Sequence, residues 1–313
     1  MFDFSRLRNI PSALSGLALG VVSLGWLWSR VAENESISLL AALVASVLLI
    51  AVALKFLLQP QTLKQDLACA QAGSVIATFS MASMIVGNIF YQQYGDIGRY
   101  LWAAMVAAHL LILLNFVTQV FKYHRLSALP SWFVPTVGII VAVVTNPDIL
   151  PETATLPVVH FGIVCYLILL PLVLLRVYQG ALTEVQKPLL AIFSAPPSLC
   201  LLGYLTVTES PESSLLVLLT GFAILSTFSV YVLLIPLLRG GFSPALAACT
   251  FPLVVSASAL TSLNEFLARG AAETFLIQAL DWVAGIELAV ATIAVVIVAS
   301  RFALHYSQVV VRR

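Results

Sequence analysis

Charge is what this chain has least of. Only 9% of its 313 residues are Asp, Glu, Lys or Arg, against about 25% in an ordinary soluble domain. Apolar residues make up 61%, and the mean hydropathy is +1.04. No water-soluble fold could hide that much apolar surface, so the chain reads as an integral membrane protein. The formal net charge of +1 gives no footing for nucleic acid or a strongly acidic partner. Cysteine is sparse as well. Cys69, Cys165, Cys200 and Cys249 lie far apart and form no CxxC pair, which leaves metal and redox centres without support. A Walker motif is missing, so ATP coupling has no signature. No Ser–His–Asp or two-carboxylate arrangement supports catalysis. The reading is of a non-enzymatic chain with no cofactor and no metal. No connecting stretch is long enough for a separate soluble domain, so residues 1–313 are expected to form one membrane domain.

What fills the chain instead is apolar length. A bilayer core about 30 Å thick needs about 20 apolar residues per spanning helix. Ten stretches qualify: 12–31, 37–58, 70–94, 99–121, 131–146, 157–178, 188–208, 213–238, 243–268 and 274–305. Residues 1–10 carry Arg6 and Arg8 ahead of the first stretch. That stretch is too long for a signal peptide and lacks a clear cleavage site, so it is read as a retained span. An even count puts both termini on one side. On that side fall Arg6, Arg8, Lys55, Lys64, Lys122, Arg125, Arg176, Lys187, Arg239, Arg301, Arg312 and Arg313. Only Arg30, Arg99 and Arg269 fall opposite. Basic residues concentrate on the cytoplasmic side of membrane proteins. A wrong helix count would scramble this alternation, so ten spans with cytoplasmic termini are expected. The short form of the chain suits a bacterial inner membrane.

The odd-numbered spans share a weak point. Pro135, Pro196 and Pro252 lie within spans five, seven and nine, at separations of 61 and 56 residues. Steps of similar size back from Pro135 reach Ser80 in span three and Gly16 in span one. A helix breaker is tolerated in a membrane where the freed carbonyl finds a partner or lines a cavity. The spacing therefore suggests five repeated helix pairs, arranged as five hairpins in a pseudo-fivefold ring. Small residues crowd the odd spans, for example Gly16, Gly20, Ala77, Gly87, Gly138 and Ala257. They permit close packing and leave room along a central axis. The even spans are richer in Leu, Val and Ile, which suits a lipid-facing outer ring.

At these residues the chain resembles the tellurite-resistance/C4-dicarboxylate transporter family, whose relatives include the plant slow anion channels. The matching pieces are GLALGVVSLGW in span one, MIVGNIFYQ in span three and FVPTVGIIVAVV in span five. LAIFSAPPSLCLLGYL in span seven and CTFPLVVSASA in span nine complete them. The resemblance implies ten helices in five hairpins, kinked odd helices around a central pore, and a homotrimer in the lipid bilayer. It also implies that a phenylalanine on span nine occludes the pore; here that position is Phe251. Where relatives often carry a mid-span proline, spans one and three have Gly16 and Ser80. Gly can also bend a helix, and Ser can bond back to a carbonyl.

No span centre carries Arg or Lys. Attraction for an anion must therefore come from hydroxyls, from backbone dipoles at the kinks, and from basic residues at the cytoplasmic mouth. Candidate hydroxyls are Ser80, Ser83, Thr136, Ser194, Ser198, Thr250 and Ser256. A pathway so weakly charged suits small monovalent anions and favours a passive channel or exporter. The alternative is a proton-coupled carrier of C4-dicarboxylates or oxyanions such as tellurite or sulfite. Glu287 in span ten is its candidate coupling carboxylate, since an intramembrane carboxylate is costly to maintain. An intramembrane enzyme lacks a polar cluster, and a sensor lacks a cytoplasmic domain. His109 and His160 fall in even spans and are expected outside the pore.

Overall fold

The computed structural model describes residues 10–124, 128–180, 182–270 and 273–311, and among them there is no strand. Arg6, Arg8, Arg125, Arg312 and Arg313 of the expected basic side lie outside the described residues. Twelve α-helices follow one another: α1 (Leu14–Val31), α2 (Glu35–Leu58), α3 (Pro60–Ala68), α4 (Ala70–Tyr94), α5 (Asp96–Gln119), α6 (Phe133–Val137), α7 (Ile140–Val144), α8 (Glu152–Tyr178), α9 (Ala195–Val207), α10 (Ser213–Arg239), α11 (Phe251–Arg269) and α12 (Thr274–Val311). Tight 3₁₀ segments at Lys187–Ser194 and Pro244–Cys249 lead into α9 and α11. Counting those lead-ins, nine helical segments among the described residues are long and apolar enough to cross a membrane.

The fifth expected span, 131–146, differs from the other nine. Residues 130–144 form a 3₁₀ turn (Pro130–Trp132), α6 and α7 rather than one helix. Pro135 has no N–H to offer the carbonyl four residues back, and its ring crowds that position. Gly138 then lies between the two pieces. The stretch is nevertheless buried almost throughout, so its broken backbone is sheltered by protein rather than by lipid, as a membrane requires. The residues between spans two and three also differ from the expected plain break, because Pro60–Ala68 folds as a short helix with no buried residue.

Burial sorts the long segments into two layers. In α1, α4 and the segments containing α9 and α11, between 56% and 83% of the apolar window is buried. In α2, α5, α8, α10 and α12 the range is 22% to 39%. The outer helices present large apolar side chains outward, such as Leu43, Val47 and Ile50 on α2 and Leu111 and Leu114 on α5. In water that surface would drive aggregation; against lipid tails it is at no disadvantage. The inner segments touch in sequence: α1 packs on α4, α4 on α6 and α7, these on α9, α9 on α11, and α11 on α1. Each inner segment also packs on the outer helix that follows it in the chain.

Small residues allow these approaches. α4 and α5 come into backbone contact where Gly87 faces Gly98; a Cβ on Gly98 would overlap Tyr91 N and Gly87 O. Membrane helices gain little from hydrophobic driving force among themselves, so such close packing and a few polar staples hold the bundle together. One staple is His109 on α5. Its Nε2 lies 3.0 Å from the Pro135 carbonyl, and its Nδ1 lies 2.9 Å from Ser80 Oγ. The ring thus ties the broken stretch to α4 and supplies a donor near the proline break.

Candidate functional site

A cavity of 490 Å³ opens along the axis of the inner layer. Every inner segment contributes to its wall: Gly16 from α1, Thr78 from α4, Val137 from α6, Pro196 from α9 and Phe251 from α11. The wall is mostly apolar. Lys55 and Asp66 are the charged side chains among its described residues. A second, far smaller cavity of 20 Å³ is lined by Ser23, Thr145, Ser258 and the same Phe251 and Leu199 that line the first. Phe251 and Leu199 therefore form the partition between a wide chamber and a space of about one water's size.

The local sequence explains why the ring sits there. The 3₁₀ segment ends at Cys249, and Thr250 takes φ −108° and ψ −85°, away from helical values. α11 then starts afresh with Phe251 and Pro252 in its first turn. Proline is accepted at that place because first-turn N–H groups have no helical partner anyway. The same device occurs at α9, where Pro196 and Pro197 follow Lys187–Ser194. Thr250 Oγ1 donates to the Ala247 carbonyl (2.7 Å), with the Gly16 carbonyl of α1 3.3 Å away. Gly20 gives α1 room at this level; a Cβ there would overlap the Thr250 side chain and lie 3.2 Å from Phe251 N. The first turns of α9 and α11 thus both meet the wide chamber. Helix N-termini carry a partial positive charge and unpaired N–H groups, a setting that favours anions.

The residues expected at the pathway divide into two sets. Gly16, Pro196, Phe251 and Pro252 line the wide chamber. Pro135 lies just behind its wall with its carbonyl on His109, while its neighbours Val134 and Val137 reach the chamber. Gly16 lies in the first turn of an unbroken α1, and Ser80 lies inside an unbroken α4. Neither supplies a break like those at the prolines. Ser80 is fully buried, bonded to the Ala77 carbonyl and facing His109. It lies outside the chamber lining because the wall face of α4 carries Val75, Thr78 and Met81, spaced by three residues. Thr136, Ser194, Ser198 and Thr250 return their hydroxyls to carbonyls of their own segments, and Ser83 is buried on α4. None of these five lines either cavity. In a helix the i−3 and i−4 carbonyls compete for such hydroxyls.

Ser256 and Glu287 belong elsewhere. Ser256 Oγ donates to Glu287 Oε2 at 2.7 Å and lies 2.6 Å from Thr227 Oγ1. This buried chain links α11, α12 and α10, and none of its three residues lines either cavity. Its geometry is that of a structural staple between helices. No group of three or more His, Cys, Asp or Glu that could hold a metal occurs among the described residues.

The cavity-lining polar groups that sequence reasoning did not single out are Thr78, Lys55, Asp66 and Ser23. Thr78 was legible from the three-residue spacing Val75, Thr78, Met81. Lys55 was legible as a lone cation inside the apolar run of span two. Ser23 Oγ is buried without a partner and lines the small cavity beyond Phe251; nothing in its local sequence marks it.

Residues 10–303 match the SLAC1 family model, described as voltage-dependent anion channel. No curated protein matches the chain.

Proposed function

The chain belongs to the SLAC1 family, and from that premise we propose that it is a passive channel for small monovalent anions, gated by Phe251. It is a multi-pass membrane protein of an anion-transporting family. The observation that carries the finer reading is the partition: one aromatic ring borders both cavities, at the first turn of a helix whose positive end meets the wide chamber. A large apolar ring in a narrow pore blocks ions by its bulk and by excluding water. The break at Thr250 and the first-turn Pro252 give the ring a short, local lever for movement.

Ten spans in five hairpins forming a pseudo-fivefold ring are part of this reading, supported by the cyclic packing of α1, α4, α6–α7, α9 and α11. So are a homotrimeric assembly, an inner-membrane location and cytoplasmic termini, the last supported by the charge alternation of the loops. That orientation opens the wide chamber to the cytoplasm. The proton-coupled carrier of dicarboxylates, tellurite or sulfite is the weaker reading, because Glu287 is held behind α11 by Ser256 and does not border the chamber. The test is planar-bilayer recording of the purified protein, wild type against Phe251→Ala. Small wild-type currents that rise strongly in the variant, carried by chloride or nitrate, are expected. Silence from both, with saturable and pH-dependent carboxylate uptake in liposomes, would overturn the channel.

A further inference from the structure

Lys55 is unusual among the described basic residues. It sits on α2, an outer helix, yet its side chain is only 7% exposed and lines the central chamber. Its ammonium donates to Ser12 Oγ at 2.9 Å, and Ser12 Oγ donates onward to Asp66 Oδ2 at 2.5 Å. The Lys55 Nζ to Asp66 Oδ2 distance is 3.7 Å. The donors and acceptors form one polarised chain: N–H to hydroxyl, hydroxyl to carboxylate. Resting on the channel reading above, we propose that Lys55 is an anion-selecting site of the wide chamber and that Asp66 is its built-in competitor, held to it through Ser12.

Three observations support this. Among the described residues that line the chamber, Lys55 is the cation and Asp66 the anion, so the wall carries no net side-chain charge while they are paired. Asp66 is the more accessible partner, its side chain 26% exposed. It is carried on α3, the one helix with no buried residue. An element with little buried area opens at low cost. An anion that reaches the chamber meets an ammonium already partly desolvated, where a charge-assisted contact is stronger than in water. It gains that contact by displacing a carboxylate from a weakly anchored helix. The pairing also keeps the ammonium from being buried alone, which would be costly. The pair therefore binds weakly and releases readily, as conduction requires.

The experiment measures chloride binding directly, by the chloride-35 NMR line broadening of the full chain in detergent. It then measures the chloride-to-potassium permeability ratio in bilayers in the Phe251→Ala background. Asp66→Asn is expected to tighten chloride binding about fivefold, the scale of removing a competing partner from a mostly buried pair, and to raise the permeability ratio. Lys55→Met, close in length but uncharged, is expected to abolish the protein-dependent broadening and lower the ratio, while Lys55→Arg restores both. A tighter-binding variant cannot be explained by misfolding, so Asp66→Asn protects the test against a poorly folded Lys55→Met. Chloride binding unchanged in both Asp66→Asn and Lys55→Met would overturn the proposal. If the Phe251→Ala background carries no current, the gate reading falls, and the NMR titration still decides the role of Lys55.

Discussion

Gly20→Ala offers the sharpest probe of how the Phe251 ring is held. The glycine sits on α1 directly against the break that precedes α11. A methyl group built there would overlap Cβ and Oγ1 of Thr250 and lie 3.2 Å from the backbone nitrogen of Phe251. None of these atoms belongs to the free end of a flexible chain. Thr250 is tied to Ala247 O at 2.7 Å and faces Gly16 O at 3.3 Å, so the contact must be relieved by moving the first turn of α11. Inserting one carbon into a close-packed site costs about 1–3 kcal/mol. If that strain falls on the ring's closed position and is released when the ring swings away, the open population rises about 5- to 150-fold. Two assays separate the parts of the argument. Unfolding in detergent should show a loss of stability of that size, partly recovered in Gly20→Ala/Thr250→Gly, because the two sites are in contact and must couple. Bilayer recording should show larger currents in Gly20→Ala than in wild type. Unchanged stability would refute the close contact. Lost stability with wild-type currents would refute the link between this contact and the gate.

Other positions give independent tests. His109→Phe should remove the ring's hydrogen bonds to Pro135 and Ser80 and lower stability by about 1–3 kcal/mol, the cost of leaving buried polar groups unmade; normal stability in detergent melts would show the staple to be idle. Ser256→Ala should destabilise on the same scale by orphaning Glu287, whereas Glu287→Gln, which keeps an acceptor for Ser256, should fold normally and conduct with an unchanged pH profile. A flux that loses its pH dependence only in Glu287→Gln would return the carboxylate to a coupling role. Gly98→Ala should prevent α4 and α5 from closing, since its new Cβ would overlap the backbone of Tyr91 and Gly87, and should be seen as a loss of folded protein on size-exclusion chromatography.

The division between one-dimensional and three-dimensional information follows from what each signal measures. Apolar length and loop charge are sums along the chain, so the membrane class and most positions of the long apolar helices could be read directly. The expected 70–94 corresponds to Ala70–Tyr94, and 213–238 to Ser213–Arg239. The prolines marked where backbone hydrogen bonding must fail, because a missing N–H is a property of the residue itself; Pro196 and Pro252 do stand at such breaks. The sequence could not say which way a hydroxyl points. Ser80 and Thr78 are two residues apart on the same helix, yet one faces His109 and the other the chamber, because a helix turns about 100° per residue. Nor could it say that Lys55, distant by 43 residues from Ser12, would reach inward from the outer layer. Composition set the solvent, and the chemistry of the cavity came from the packing that brought five segments to one axis.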